Sequence, residues 1–136
     1  MKRLNAYLRF DGNCRQAMEF YRECLGGNLN LMTLGESPMA AQMPDKKDWV
    51  IHSTLEADSM ILMASDMLGP QGITKGNAVT LCINGTDKEK IEEYFSRLSA
   101  GATISQPLEK MFFGMFGDLT DKFGVEWMFE VDLPRT

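Results

Sequence analysis

Apolar and polar residues alternate one for one in "LNAYLRF" (4–10), with Leu4, Ala6, Leu8 and Phe10 against Asn5, Tyr7 and Arg9. That period of two predicts a strand with one buried face. After a "DGN" turn the period becomes helical. In "CRQAMEFYRECLGG" the residues Cys14, Ala17, Met18, Tyr21 and Leu25 form one stripe. Asn13 with Gln16 three residues on predicts a capping box, and Gly26 and Gly27 predict the stop. A strand near 28–34 follows, then the loop "GESPMAAQMPDKKD" with two prolines. The strands "WVIHSTLEA" and "SMILMAS", joined at Asp58, close this half.

The pattern then restarts. "AVTLCI" (78–83) reads as a strand, "NGT" as a turn and "DKEKIEEYFSRLSAG" as a helix. Thr86 and Glu89 predict its capping box, Ile91, Tyr94, Phe95 and Leu98 its stripe, and Gly101 its stop. Setting the halves 73 positions apart aligns Leu8 with Leu81, Phe10 with Ile83, Gly12 with Gly85, Tyr21 with Tyr94 and Leu25 with Leu98. Further strands are expected near 103–108, 113–120 and 125–131. The chain therefore reads as one domain, 1–136, made of two β-α-β-β-β units, unit one about 1–70 and unit two about 76–136.

This organisation limits what the sheets can do. One helix covers one face of its four strands, so the other face must meet something else. The expected fold is α+β, a half-open cup of mixed β-sheet with the helices outside. In "DKFGVEWMFEV" (121–131), Val125, Trp127, Phe129 and Val131 belong to the core face, and Glu126, Met128 and Glu130 to the cavity face. The same alternation nominates Asn5, Tyr7 and Arg9; Val50, His52, Thr54 and Glu56; Ile61, Met63 and Ser65; and Ala78, Thr80 and Cys82. Enclosed apolar walls with a few polar groups are the usual form of a small-ligand site.

Composition narrows the class. The net charge is -5, with no basic stripe for phosphate backbones, so nucleic acid is not expected as a partner. No apolar run approaches a membrane span, and "MKRLNAYLRF" lacks the apolar stretch of a signal peptide, so a soluble, cytoplasmic protein is expected. Three cysteines without a CxxC pair read as reduced structural thiols. Eleven methionines suit irregular core gaps and adaptable apolar pockets alike.

Four stretches, "YLRFDGNCRQAMEFY", "VIHSTLEADSMILMASD", "GNAVTLCINGTD" and "FFGMFGDLTDKFGVEWMF", resemble the PhnB-like branch of the vicinal oxygen chelate superfamily, which includes glyoxalase I, bleomycin-resistance proteins and extradiol dioxygenases. The resemblance implies paired units and frequent dimerisation. It also implies metal-ligand positions on the first and last strands of each unit. Those positions fall here on Asn5, on Ile61 or Met63, on Ala78 or Asn77, and on Met128. None is a good ligand for a hard or borderline divalent ion. No metal or other cofactor is therefore expected. Relatives in this branch are sometimes labelled ubiquinone-pathway methyltransferases, but no Gly-rich strand–loop–helix for a nucleotide-like cofactor is present.

Two functions stay open. One is a metal-free small-molecule binding protein, with Asn5, Tyr7, Arg9, Thr54, Met63, Thr80, Phe113, Phe116 and Met128 toward the ligand. The other is an enzyme of the superfamily, a lyase, isomerase or dioxygenase. It would use His52 as general base, Glu126 and Glu130 as an acid/base pair, or a relocated metal site of His52 with Glu126 or Glu130. Against these stand a strand histidine satisfied by Thr54, Glu126 or Glu130, and an ion pair of Arg9 with Glu126 or Glu130. Asp118, Asp121 and Lys122 are read as organising the turn before the last strand. The segment "KMFFGMFG" (110–117) is read as a mobile lid, a subunit interface, or both, and a homodimer is expected.

Overall fold

The computed structural model describes residues 2–67 and 72–132. The chain divides into two compact units, Met1–Thr74 and Lys75–Thr136. Residues 68–71, where the sequence sets the end of the first unit, lie outside the described residues.

Unit 1 runs β1 (Ala6–Phe10), α1 (Cys14–Leu25), β2 (Asn28–Thr33), β3 (Val50–Ala57) and β4 (Met60–Asp66). Unit 2 runs β5 (Leu81–Gly85), α2 (Lys88–Leu98), β6 (Thr103–Met111), β7 (Gly114–Thr120) and β8 (Glu126–Asp132). The strand orders are β1-β4-β3-β2 and β5-β8-β7-β6. In both sheets the first strand pairs with the last in parallel and the other pairings are antiparallel. The fold is α+β, with the same β-α-β-β-β topology twice.

Each helix packs its apolar stripe on one sheet face. In unit 1, Cys14, Ala17, Met18 and Tyr21 are fully buried, along with Ser53, Leu55 and Ala64 of the sheet. Phe20 and Cys24 are buried as well, so the stripe is wider than the spacing suggested. In unit 2, Ile91, Tyr94 and Leu98 are buried, as are Ile83, Leu119, Trp127, Phe129 and Val131 of the sheet. Phe95 stands edge-on to Phe129, with 5.1 Å between ring centroids. It fits because residue 117 is glycine: a Cβ there would lie 2.9 Å from Leu108 Cα and 3.1 Å from the Phe95 ring. Gly27 closes α1 for a similar reason. At φ 90° it passes so close to the backbone of Glu56 and Ala57 that a Cβ would overlap the Glu56 carbonyl oxygen.

Several local expectations are corrected. Asn13 makes no side-chain cap on α1. The Asp66 carboxylate at the end of β4 takes that place. Gly12 N–H and Cys14 N–H donate to Oδ1 at 2.8 and 3.0 Å, and Val50 N–H donates to Oδ2 at 2.9 Å. A long-range ionised acceptor leaves the local box without a task. In α2 the cap is Asp87, which accepts from Lys90 N–H at 3.1 Å, so Thr86 with Glu89 is one residue out of register. The fifth strand begins at Leu81 and not at 78; Val79 is 79% exposed and Ala78 lies before the strand. Leu4 likewise precedes β1 and is exposed. Val50 is buried and does not share the open face of His52. The β2–β3 register shifts there, with Met32 opposite His52 but Thr33 opposite Val50, and the extra residue turns Val50 over.

Unit 2 carries its own buried carboxylate. Asp121 Oδ1 accepts from Phe123 N–H at 2.8 Å and Val125 N–H at 3.1 Å, and Oδ2 accepts from Trp127 Nε1–H at 2.7 Å. The β7–β8 turn is thereby tied to the core indole.

Removing the Asp66 carboxylate deprives three backbone N–H groups of an acceptor. Asp66→Ala is expected to lower the unfolding free energy by roughly 3 kcal/mol or more. Asp87→Ala, which removes only a helix cap, is expected to lower it by about 1 kcal/mol. Urea unfolding checks this, and equal losses from the two variants would refute the role given to Asp66.

Candidate functional site

The face of each sheet away from its helix carries the candidate residues. In unit 1, cross-strand register sets Tyr7 beside Met63, Met63 beside Thr54, and Thr54 beside Asn30. Arg9 pairs with Ser65, and Met32 with His52. Tyr7 Oη lies 3.5 Å from His52 Nδ1, and Thr54 Oγ1 lies 3.4 Å from His52 Nε2. Both ring nitrogens of the exposed imidazole therefore have a hydroxyl neighbour. Asn5 Nδ2–H donates to Met63 Sδ at 3.8 Å. Asn5 also lines a wide hollow of about 540 Å³ with Glu56 and Ile61. The structure thus gathers Asn5, Tyr7, Thr54, Met63 and His52 on one surface, with Arg9 exposed at its β1 side.

In unit 2 the register brings Cys82, Met128, Asp118 and Gln106 into one row across β5, β8, β7 and β6. Asn84, Glu130, Phe116 and Glu109 form a parallel row. Glu126 faces Thr120, and Thr80 Oγ1–H donates to Glu126 Oε2 at 3.5 Å. Thr80 reaches the face from the segment just before β5. A cavity of about 170 Å³ opens here. Its side-chain lining includes Thr80, Ser105, Asp118, Thr120, Glu126 and Met128.

The expectation that Asp118 belongs to the turn before the last strand is corrected. Asp118 sits in the middle of β7 opposite Met128, while Asp121 alone of the two organises the following turn. The alternation Phe116, Asp118, Thr120 within "GMFGDLT" was the signal. Phe116 shares the open face. Phe112 and Phe113 form the two-residue turn between β6 and β7, 97% and 48% exposed. Phe113 stands between the other two rings, with centroids 5.1 Å from Phe112 and 6.3 Å from Phe116.

Two of the three thiols are held toward their protonated form. Burial pushes Cys14 up to about 12, with a weak contact to Ser53 Oγ at 3.8 Å opposing the shift. Cys82 is raised too, first by desolvation and then by the charges of Glu130 and Asp132. Both shifts disfavour thiolate at neutral pH.

The positions that the resemblance marks for metal ligands hold Asn5, Ile61 or Met63, Ala78 or Asn77, and Met128. Amide, alkyl and thioether side chains do not fit a hard or borderline divalent ion. Among the described residues, no group of three or more His, Cys, Asp and Glu side chains is arranged to hold a metal. No helix among them is long and apolar enough to cross a membrane.

Two β-α-β-β-β units of this topology are the architecture of the glyoxalase and bleomycin-resistance proteins. The family model described as 3-demethylubiquinone-9 3-methyltransferase matches residues 2–129. Protein YjdN of Escherichia coli (strain K12) is 31% identical over 94% of each chain. Protein PA1353 of Pseudomonas aeruginosa is 34% identical, with a TM-score of 0.86 over 97% of this chain and 98% of that one. A PhnB protein from Bacillus cereus is 26% identical, with a TM-score of 0.76 over 96% of this chain and 99% of that one. The chain belongs to this PhnB-like family.

Cys14 binds its proton more tightly folded than unfolded, because its pKa is about 12 against an ordinary value of 9.0. Its contribution to stability is complete below about pH 9 and is lost as pH rises from there toward 12. Cys14→Ala is expected to flatten the alkaline fall in stability measured by urea unfolding between pH 8 and 10.5. At pH 8 iodoacetamide is expected to label Cys82 slowly and Cys14 only on unfolding, and rapid labelling of native Cys14 would contradict its burial.

Proposed function

We propose that this chain is a binding protein for a small organic molecule, held on the open sheet face around Met128 without a metal ion. The observation that carries the reading is the composition of the unit 2 hollow. A thioether occupies the centre, hydroxyls and carboxylates surround it, and the cavity of about 170 Å³ is floored by β7 and β8. A thioether adapts its shape to an apolar ligand, and the polar rim orients it. Methyl transfer, named in the family description, has less support here. The first strand–turn–helix has its leading N–H groups already occupied by Asp66, where a nucleotide-like cofactor would need them free.

A second reading has its own observation. His52 is exposed and held between the hydroxyls of Tyr7 and Thr54, an arrangement able to take a proton from a bound molecule. In that case the chain is a superfamily lyase, isomerase or dioxygenase. Loss of turnover in His52→Ala with ligand binding retained would favour it over the binding reading.

Elemental analysis of tag-free protein incubated with nickel, zinc, manganese or iron is expected to find no stoichiometric metal. One equivalent per chain, lost in His52→Ala, would overturn the metal-free reading.

We also infer a homodimer in which the Phe112–Phe113 turn is covered by a second copy. A row of three aromatic rings at a hairpin end, with Phe113 in contact with Phe112 and Phe116, is an unfavourable surface to leave in water. Light scattering at micromolar concentration is expected to give twice the chain mass of 15.3 kDa. Phe112→Ser with Phe113→Ser is expected to halve that mass, and a monomeric native chain would refute the dimer.

A further inference from the structure

We infer that the occupant of the Met128 hollow is an organic cation, with an ammonium group seated between Asp118 and Glu126 and an alkyl portion on the Met128 thioether. This rests on the reading of that hollow as a binding site and names the chemistry of its ligand.

The first argument is hydrogen-bond accounting. Among the described residues, the buried carboxylates Asp66 and Asp121 each accept at least three hydrogen bonds of 2.7–3.1 Å. The half-buried carboxylates of the hollow are poorly served by comparison. Glu126 has the Thr80 hydroxyl at 3.5 Å, well beyond the length of a strong O–H···O⁻ bond. Asp118 has no hydrogen-bond or ion-pair partner among the described residues. No Lys, Arg or His lines the cavity. Two carboxylates line the hollow with no cationic side chain beside them, and a cation is the occupant that complements them.

The second argument is spacing. Asp118 lies opposite Met128 and Glu126 lies opposite Thr120, so the carboxylates are diagonal neighbours on β7 and β8. Diagonal pairs stand roughly 7–8 Å apart at the backbone, within reach of one ammonium that donates to both. Beside the pair, opposite Asp118 and two residues along β8 from Glu126, lies the Met128 thioether. A calcium or magnesium ion asks for six or more oxygens closely packed around it, and a neighbouring sulfur is a poor substitute. An ammonium carried on an alkyl chain is matched by two carboxylates with a thioether alongside. The volume of about 170 Å³ is below the roughly 300 Å³ of drug-sized pockets, so the hollow takes the amine end of a molecule and not a large whole one. Carboxylate, phosphate and sulfonate ligands meet repulsion at the same place.

The eleven methionines supply the probe. Protein labelled with ¹³C at the methionine methyls, with Met128 assigned through Met128→Leu, is titrated with n-pentylamine hydrochloride, 1-pentanol, sodium valerate, calcium chloride and magnesium chloride. The amine is expected to shift the Met128 signal saturably, at least about tenfold more tightly than the alcohol, with no saturable shift from valerate. Asp118→Asn and Glu126→Gln are each expected to weaken the amine about tenfold, the worth of one charge-assisted hydrogen bond. Added salt is expected to weaken it as well. The comparison among probes on the unaltered protein stands even if a variant folds poorly. Equal or tighter binding of the alcohol or valerate at Met128 would overturn the cation inference and leave the binding reading intact. Tighter saturation by calcium or magnesium would overturn it in favour of an inorganic ion. A Met128 signal that none of these probes nor a library of neutral fragments moves would overturn the binding reading itself.

Discussion

The Asp66 carboxylate joins three stretches of unit 1 that are far apart in sequence. It lies at the end of β4 and accepts N–H groups from the turn before α1, from the first residue of α1 and from the first residue of β3. A helix that begins inside a protein leaves buried N–H groups without acceptors, and a full negative charge at that end serves them and favours the helix dipole. With its first turn fixed in this way, α1 lies across one face of the sheet. Val50, Ser53, Leu55 and Ala64 are covered on that side. Tyr7, His52, Thr54 and Met63 remain on the other, and the candidate chemistry of the unit follows from which face the helix takes.

Unit 2 reaches the same topology by different means. Asp87 caps α2 locally, while the second buried carboxylate, Asp121, has moved to the β7–β8 turn and holds the indole of Trp127. The duplicated frame therefore does not require duplicated polar contacts. The two open faces have diverged further than the frames beneath them. One presents an imidazole among hydroxyls and thioethers, the other a thioether among carboxylates. A fold that fixes its buried face leaves its open face free to change, and function in this family is to be sought there.

What was legible in the sequence was whatever depends on periodicity. Both helices, all eight strands and the burial of Trp127 and Phe129 follow from apolar spacing, and so does the open-face position of Glu126, Met128 and Glu130. What was not legible depends on contacts between distant residues. Nothing around Asn13 announces that a carboxylate 53 positions later will take over the cap. Nothing in "WVIHSTLEA" announces a register shift that turns Val50 inward, because the extra residue is defined only against β2. "AVTLCI" has the composition of a strand from its first residue, yet pairing with β8 begins only at Leu81. Asp118 was legible in principle. Its neighbours Asp121 and Lys122 drew it into a turn, although the alternation with Phe116 and Thr120 places it on the open face.

Met128 is where these lines meet. Along β8 the open face reads Glu126, Met128, Glu130, and Asp118 faces the middle position from β7. A carboxylate at 128 would set four acidic groups side by side. Such a cluster is tolerable around a divalent ion and strongly repulsive without one. A thioether at that position removes the central charge, keeps the volume and supplies a flexible apolar contact. With the thioether there, the open face of β8 carries its two carboxylates, Glu126 and Glu130, on either side of an uncharged centre that faces Asp118.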